Sequence, residues 1–139
     1  MECIAYKSGY KYQLKQDYVT KIEIKPAAPI PTEFIKLGVD GTLTIIKNYA
    51  WDGPSGPTID TLNFMRGSLV HDALYQLIRE GRLSENPHRK IADQILQRMC
   101  KEDRMFALRA WWVYGAVRLF GGKAVDPQKS LIHAPKGCP

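Results

Sequence analysis

The chain reads as an α+β domain, an N-terminal antiparallel hairpin or small sheet followed by three helices of which the first two run antiparallel. Three observations predict this. Period-two alternation of β-branched and aromatic residues is confined to the first fifty positions. Helix-period apolar stripes begin only after residue 62, and the two regions meet at a segment too rich in glycine and proline for regular structure.

Taken in order, Tyr18, Thr20, Ile22 and Ile24 alternate with Val19, Lys21 and Glu23, the pattern of a half-buried strand. Pro26, Pro29 and Pro31 remove ladder donors and fix φ, so the strand is expected to break there. Phe34 to Leu37 and Leu43 to Ile46 flank Val39-Asp40-Gly41, where Asp-Gly supplies the left-handed backbone that a tight hairpin needs. From Tyr49 to Thr58, the pairs Gly53-Pro54 and Gly56-Pro57 predict an ordered loop without strand or helix.

The first helix is expected from about Asn63 to Glu80, with Val70, Leu74, Leu77 and Ile78 on its apolar stripe and Gly81 as its stop. Asn86-Pro87 gives a cap followed by proline at the first helical position. It opens a second helix striped by Ile91, Ala92, Ile95, Leu96 and Met99, with Asp93 at the edge of the stripe. A third is expected from about Glu102 to Phe120, ending at Gly121-Gly122, with Trp111 and Trp112 spaced as core residues. The expected organisation is a single domain over 1–139: a strand-rich part (1–48), a loop (49–62), a helical part (63–122) and an extended, loosely held tail (123–139).

At 139 residues the chain is long enough to bury a core without metal or disulfide staples, and 45% hydrophobic with 24% charged residues is ordinary for a globular protein. A net charge of +6 would suit a negative partner, either nucleic acid or an anionic membrane. The basic residues form no long run and accompany no nucleic-acid motif, so a nucleic-acid partner is not expected. Cys3, Cys100 and Cys138 make neither a CxxC pair nor an even disulfide framework, which fits a reducing compartment or a short-lived lytic context. The N-terminus lacks the apolar region of a signal peptide, and no apolar stretch is long enough to span a bilayer. The expectation is a soluble or peripheral protein whose export would rely on another.

The chemistry concentrates at His71-Asp72-Ala73-Leu74-Tyr75 and at Asp93. Residues three and four apart share a helical face, so Tyr75 can approach both His71 and Asp72. A neutral imidazole takes a proton from water when a carboxylate holds its other nitrogen, and His71 with Asp93 suits that pairing. A hard cation such as Ca²⁺ wants six to eight oxygens, mixing carboxylates with carbonyls. Asp72, the backbone carbonyls of Trp51, Gly53 and Ser55, and the Asp52 carboxylate are candidate ligands.

At these residues the chain resembles two groups of proteins. The pattern Trp51-Asp52-Gly-Pro-Ser-Gly-Pro57, His71-Asp72-x-Leu-Tyr75, Ala92-Asp93 and Val117-Arg118-Leu-Phe-Gly121 is similar to that of a family of small uncharacterised proteins encoded by tailed phages and prophages, over about Phe34 to Gly122. More distantly, Tyr49 to Met99 resembles the phospholipases of the A-two class, above all the disulfide-free domain of the parvovirus minor capsid protein. That class places a glycine-rich calcium loop before His-Asp-x-x-Tyr on one helix and an aspartate on the next. The resemblance implies His71 as general base, Asp72 as calcium ligand, Tyr75 as hydrogen-bond support and Asp93 as the group that orients His71. It also implies a phospholipase-like fold for the first two helices, and hydrolysis of a phospholipid ester. Asp52 and Pro54 stand where those enzymes rely mainly on glycines, and the N-terminal strands have no counterpart in them.

Two functions follow as expectations. One is a phage-encoded, Ca²⁺-dependent hydrolase of phospholipid acting during penetration or lysis of the host. The other is a non-enzymatic protein, a virion component of the tail region or a host-interaction factor in the host cytoplasm, in which Asp93 accepts hydrogen bonds from His71 and Tyr75 only to satisfy buried polar groups. Its partners would be a phospholipid surface in the first case and other phage structural proteins in the second. Trp111 and Trp112, beside Arg109 and Arg118, are read as core, with a membrane interface as the alternative.

Overall fold

The computed structural model describes residues 4–6, 12–51, 62–122 and 132–134, and it has the α+β architecture expected. Its strands are β1 (Ile4–Tyr6), β2 (Tyr12–Gln13), β3 (Tyr18–Lys21), β4 (Ile30–Pro31), β5 (Ile35–Leu37), β6 (Thr42–Ile45) and β7 (Ala50–Trp51), followed by helices α1 (Leu62–Arg79), α2 (Glu85–Glu102) and α3 (Ala107–Phe120) and by strand β8 (Ile132–Ala134).

The main sheet has the order β3-β6-β5-β4, antiparallel throughout. The predicted hairpin is β5–β6, with Ile35 opposite Ile45 and Leu37 opposite Leu43. All four are buried on one face, as period-two alternation requires. The Asp40 carboxylate accepts bonds from the Thr42 N–H and hydroxyl, closing the turn. Gly41 adopts φ +88°, and a Cβ there would lie 2.3 Å from the Ile22 carbonyl oxygen. Gly41→Ala therefore combines a left-handed backbone with a collision against main chain that cannot step aside. It is expected to cost about 2–5 kcal/mol, read as a lower denaturation midpoint.

The strand breaks before the prolines as expected, β3 ending at Lys21, and Ile30 and Pro31 start a new one, β4, at the sheet edge, where a missing donor is tolerated. Two expectations about irregular segments need correction. Ala50 and Trp51 are strand β7, paired with β2, so the loop starts later than Tyr49. Part of the tail, expected to be loosely held, pairs in antiparallel register with the N-terminal strand, Ile4 opposite Ala134.

Helix α1 ends in a Schellman motif: Gly81 adopts φ +74°, with the Arg82 N–H on the Leu77 carbonyl at 2.8 Å and the Gly81 N–H on that of Ile78 at 3.0 Å. In α2, Asn86 keeps non-helical angles and continuous helix starts at Pro87, where the sequence places it. The same device closes α2, the Met105 N–H reaching the Cys100 carbonyl at 2.9 Å and the Arg104 N–H that of Lys101 at 3.0 Å. Its left-handed residue is Arg104, at φ +70°. The third helix consequently begins at Ala107 rather than near Glu102, because an arginine in the position usually held by glycine gives no sequence sign of a stop.

Cross-links fix α1 and α2 as antiparallel. Arg66, early in α1, holds both Asp103 oxygens through Nε (3.1 and 3.0 Å) and Glu102 through Nη2 (2.9 Å), at the far end of α2. Later in α1, Tyr75 meets Asp93 in the first half of α2. Gly67 lets the two axes approach, since a Cβ there would sit 3.0 Å from Leu96 and 3.3 Å from the Cys100 sulfur. The inner faces of the sheet, α1 and α2 share one core, and a smaller cluster of Phe64, Leu96, Cys100, Met105, Ala110 and Val113 lies beneath α3. Cys100 is free, and burial pushes its thiol up to about 12, which makes it an inert packing residue.

The two tryptophans of α3 are not core. Trp111 and Trp112 are exposed, because α2 and α1 cover only the opposite side of the helix, where Ala110 and Val113 are buried.

Candidate active site

Four side chains from three helices converge at the α1–α2 seam. His71 and Tyr75 lie one turn apart on α1, and their rings are 4.0 Å apart between centroids. Asp93 of α2 is completely buried, deeper than the stripe-edge place the sequence suggested. Its Oδ1 is 2.7 Å from His71 Nε2 and accepts the Tyr75 hydroxyl at 2.5 Å. Its Oδ2 accepts Arg118 Nη1 from α3 at 3.0 Å. His71, Tyr75 and Asp93 are thus brought together as the sequence proposed.

Arg118 is the participant that sequence reasoning did not assign. The signal was present: a lone cation inside the apolar run Val117 to Phe120, in a chain with a buried aspartate whose second oxygen needs a partner. Around it the end of α3 is held firmly. Arg89 Nη2 donates to the carbonyls of Val117 (2.9 Å) and Arg118 (2.8 Å), and Gly121 stands where a Cβ would be 2.6 Å from the Tyr75 hydroxyl oxygen. These contacts account for glycine and arginine in the Val117-to-Gly121 stretch.

The protonation states follow from the surroundings. Burial pushes the Asp93 carboxyl up, but bonds from His71, Tyr75 and Arg118 outweigh it and hold the group below its ordinary value. An ionised carboxylate only accepts, so a neutral His71 must donate from Nε2, leaving Nδ1 with its lone pair. Burial lowers the His71 pKa, yet Asp72 and Asp93 together outweigh that and leave it above its ordinary value. Burial, then the Asp93 charge, raises the Tyr75 phenol, which keeps its proton and acts as a donor.

Both shifts make stability depend on pH. Asp93, with its pKa lowered in the folded state, contributes stability above its ordinary 3.8 that is lost as pH falls through the folded value. His71, with its pKa raised, contributes stability that is complete below 6.5 and lost as pH rises through the folded value. Melting in chelator-containing buffer is expected to peak between these limits, on the mildly acidic side, and His71→Asn should flatten the alkaline limb.

Of the proposed calcium ligands, Asp72 is partly exposed, with Oδ1 3.9 Å from His71 Nδ1, an ionic contact too long for a hydrogen bond. Trp51 is buried, and its indole donates to Ser68 Oγ at 3.2 Å, which brings the start of the loop against α1 one turn before His71. Asp52, Gly53 and Ser55 lie outside the described residues. Among the described residues, no group of three or more His, Cys, Asp or Glu side chains could hold a metal ion. A Ca²⁺ site that included Asp72 would need further oxygen ligands beside it. No helix among the described residues is long and apolar enough to cross a membrane.

Comparison of the chain with known protein families, with curated proteins and with solved structures finds no match.

Proposed function

We propose that this is a phage-encoded hydrolase of phospholipid esters, with His71 as general base and Asp93 as the group that fixes its tautomer. The observation that supports this reading best is the 2.7 Å contact of His71 Nε2 with a fully buried carboxylate, which directs the Nδ1 lone pair to the partly exposed Asp72 side. Nδ1 takes the proton of a water that attacks the ester carbonyl and passes it on to the leaving alkoxide. Asp93 and Tyr75 hold the ring through both transfers, and Arg118 keeps Asp93 ionised. Asp72, with loop carbonyls near Trp51, Gly53 and Ser55 and the Asp52 carboxylate, is the proposed Ca²⁺ holder. When bound, the cation supplies a Lewis acid for the carbonyl oxygen and a positive charge for the phosphate.

Calorimetric titration with Ca²⁺ tests the metal part. Wild type is expected to bind and Asp72→Asn to lose at least about tenfold in affinity, since a charged ligand is replaced by a neutral one. No heat from wild type at millimolar Ca²⁺ would remove calcium from the reading.

One observation favours a second function. With three donors on one carboxylate and His71 shifted toward its charged form, the cluster is also a closed, satisfied polar network. Under that reading the protein is a non-enzymatic component of the phage tail region or a host-interaction factor, and the network serves packing alone.

A further inference from the structure

Helix α3 has two unlike faces. Ala110 and Val113 are buried and Val117 is partly buried against the small core, whereas Leu108 is 78% exposed, Trp111 65%, Trp112 45% and Leu119 79%. At about 100° per residue, positions 108, 111, 112, 115 and 119 fall on one narrow stripe. Gly115, in the middle of it, has open space where a Cβ would stand. Phe106 immediately precedes the helix and is also exposed. Single exposed apolar residues are ordinary, but two tryptophans and two leucines in one row mark an interaction surface.

Charge identifies what covers it. From Arg104 to Lys123 the sequence contains no aspartate or glutamate; Arg118 is taken up by Asp93, and Arg104 and Arg109 carry positive charge beside the first turn of the stripe. A second copy pairing through this face would set arginines of like sign against one another with no acid on either helix. An anionic lipid surface matches this charge, and tryptophan beside leucine suits the boundary between headgroups and acyl chains.

We propose that α3 docks the protein on bilayers containing anionic phospholipid, with Leu108, Trp111, Trp112 and Leu119 entering the interface and Arg104 and Arg109 near the headgroups. The inference deepens the proposed function and rests on it for the idea that this lipid is also the substrate. Because Arg118 of the same helix bonds to Asp93, docking holds the end of α3 that carries the site's anchor at the membrane.

The test is cosedimentation with vesicles of phosphatidylcholine alone and of phosphatidylcholine mixed with phosphatidylserine, using wild type, the double variant Trp111→Glu/Leu119→Glu and His71→Asn. Both positions of the double variant are exposed, so its melting curve should match wild type. Wild type and His71→Asn are expected to bind the anionic vesicles, with affinity falling as salt rises, and the double variant to bind at least about tenfold more weakly. Absence of wild-type binding overturns the proposal, as does binding that the double variant retains. A wild-type dimer that the double variant converts to monomer, without vesicle binding, overturns it in favour of a second copy. Hydrolysis of a short-chain phospholipid dispersed as monomers separates the two claims. Hydrolysis without vesicle binding overturns the docking and leaves the hydrolase, whereas binding without hydrolysis supports the docking and removes the hydrolase.

Discussion

Replacing Asp93 with alanine is expected to lower stability by about 3–5 kcal/mol, the range found when one partner of a buried charge network is removed. The residue is fully buried and accepts from three donors on two other helices. Without it, the buried Tyr75 hydroxyl and His71 Nε2 lose their acceptor, and Arg118, whose side chain is about one-third exposed, loses one of the contacts that tie α3 to α2. In a chain of this length the expected fall in melting temperature is roughly 10–20 °C. Asp93→Asn keeps the shape and one acceptor oxygen, so its cost should be smaller. Equal melting of Asp93→Ala and wild type would show that the network contributes nothing to folding.

His71→Asn is expected to act mainly on chemistry. The amide of asparagine stops at the position of Nδ1, so the bond that Nε2 makes to Asp93 is lost together with the basic nitrogen; water loses its proton acceptor and hydrolysis should fall by about 10²–10⁴-fold. The loss in stability should be smaller than for Asp93→Ala, because Tyr75 and Arg118 continue to satisfy the carboxylate. A network that serves packing alone predicts the reverse proportion, a marked drop in melting temperature with no hydrolysis in either protein.

Much of the fold was legible because its signals are local. Alternation and Asp-Gly located the β5–β6 hairpin, and Gly81 and Pro87 bracketed the turn between α1 and α2. The spacing from His71 to Tyr75, with Asp93 on the next helix, was enough to anticipate a shared site. The rest depends on tertiary partners that no local pattern carries. Arg104 ends a helix in the backbone region usually left to glycine. Ile30-Pro31 becomes a strand only because β5 lies beside it. Trp111 and Trp112 have the spacing of core residues, and their exposure follows from where α3 lands on α2, which periodicity does not encode. Arg118 joins the site across the α2–α3 packing, and its role becomes visible only when Asp93 is seen to be buried.

The central claim, that His71 and Asp93 form a hydrolytic pair, is tested most directly by fatty-acid release from phospholipid in the presence of Ca²⁺, measured for wild type and for His71→Asn at matched folded concentration. Release by wild type that the variant loses, with the variant still folded at the assay temperature, is the predicted result. Equal release by both proteins, or none from wild type across lipid headgroups and on the alkaline side where His71 is neutral, would contradict it.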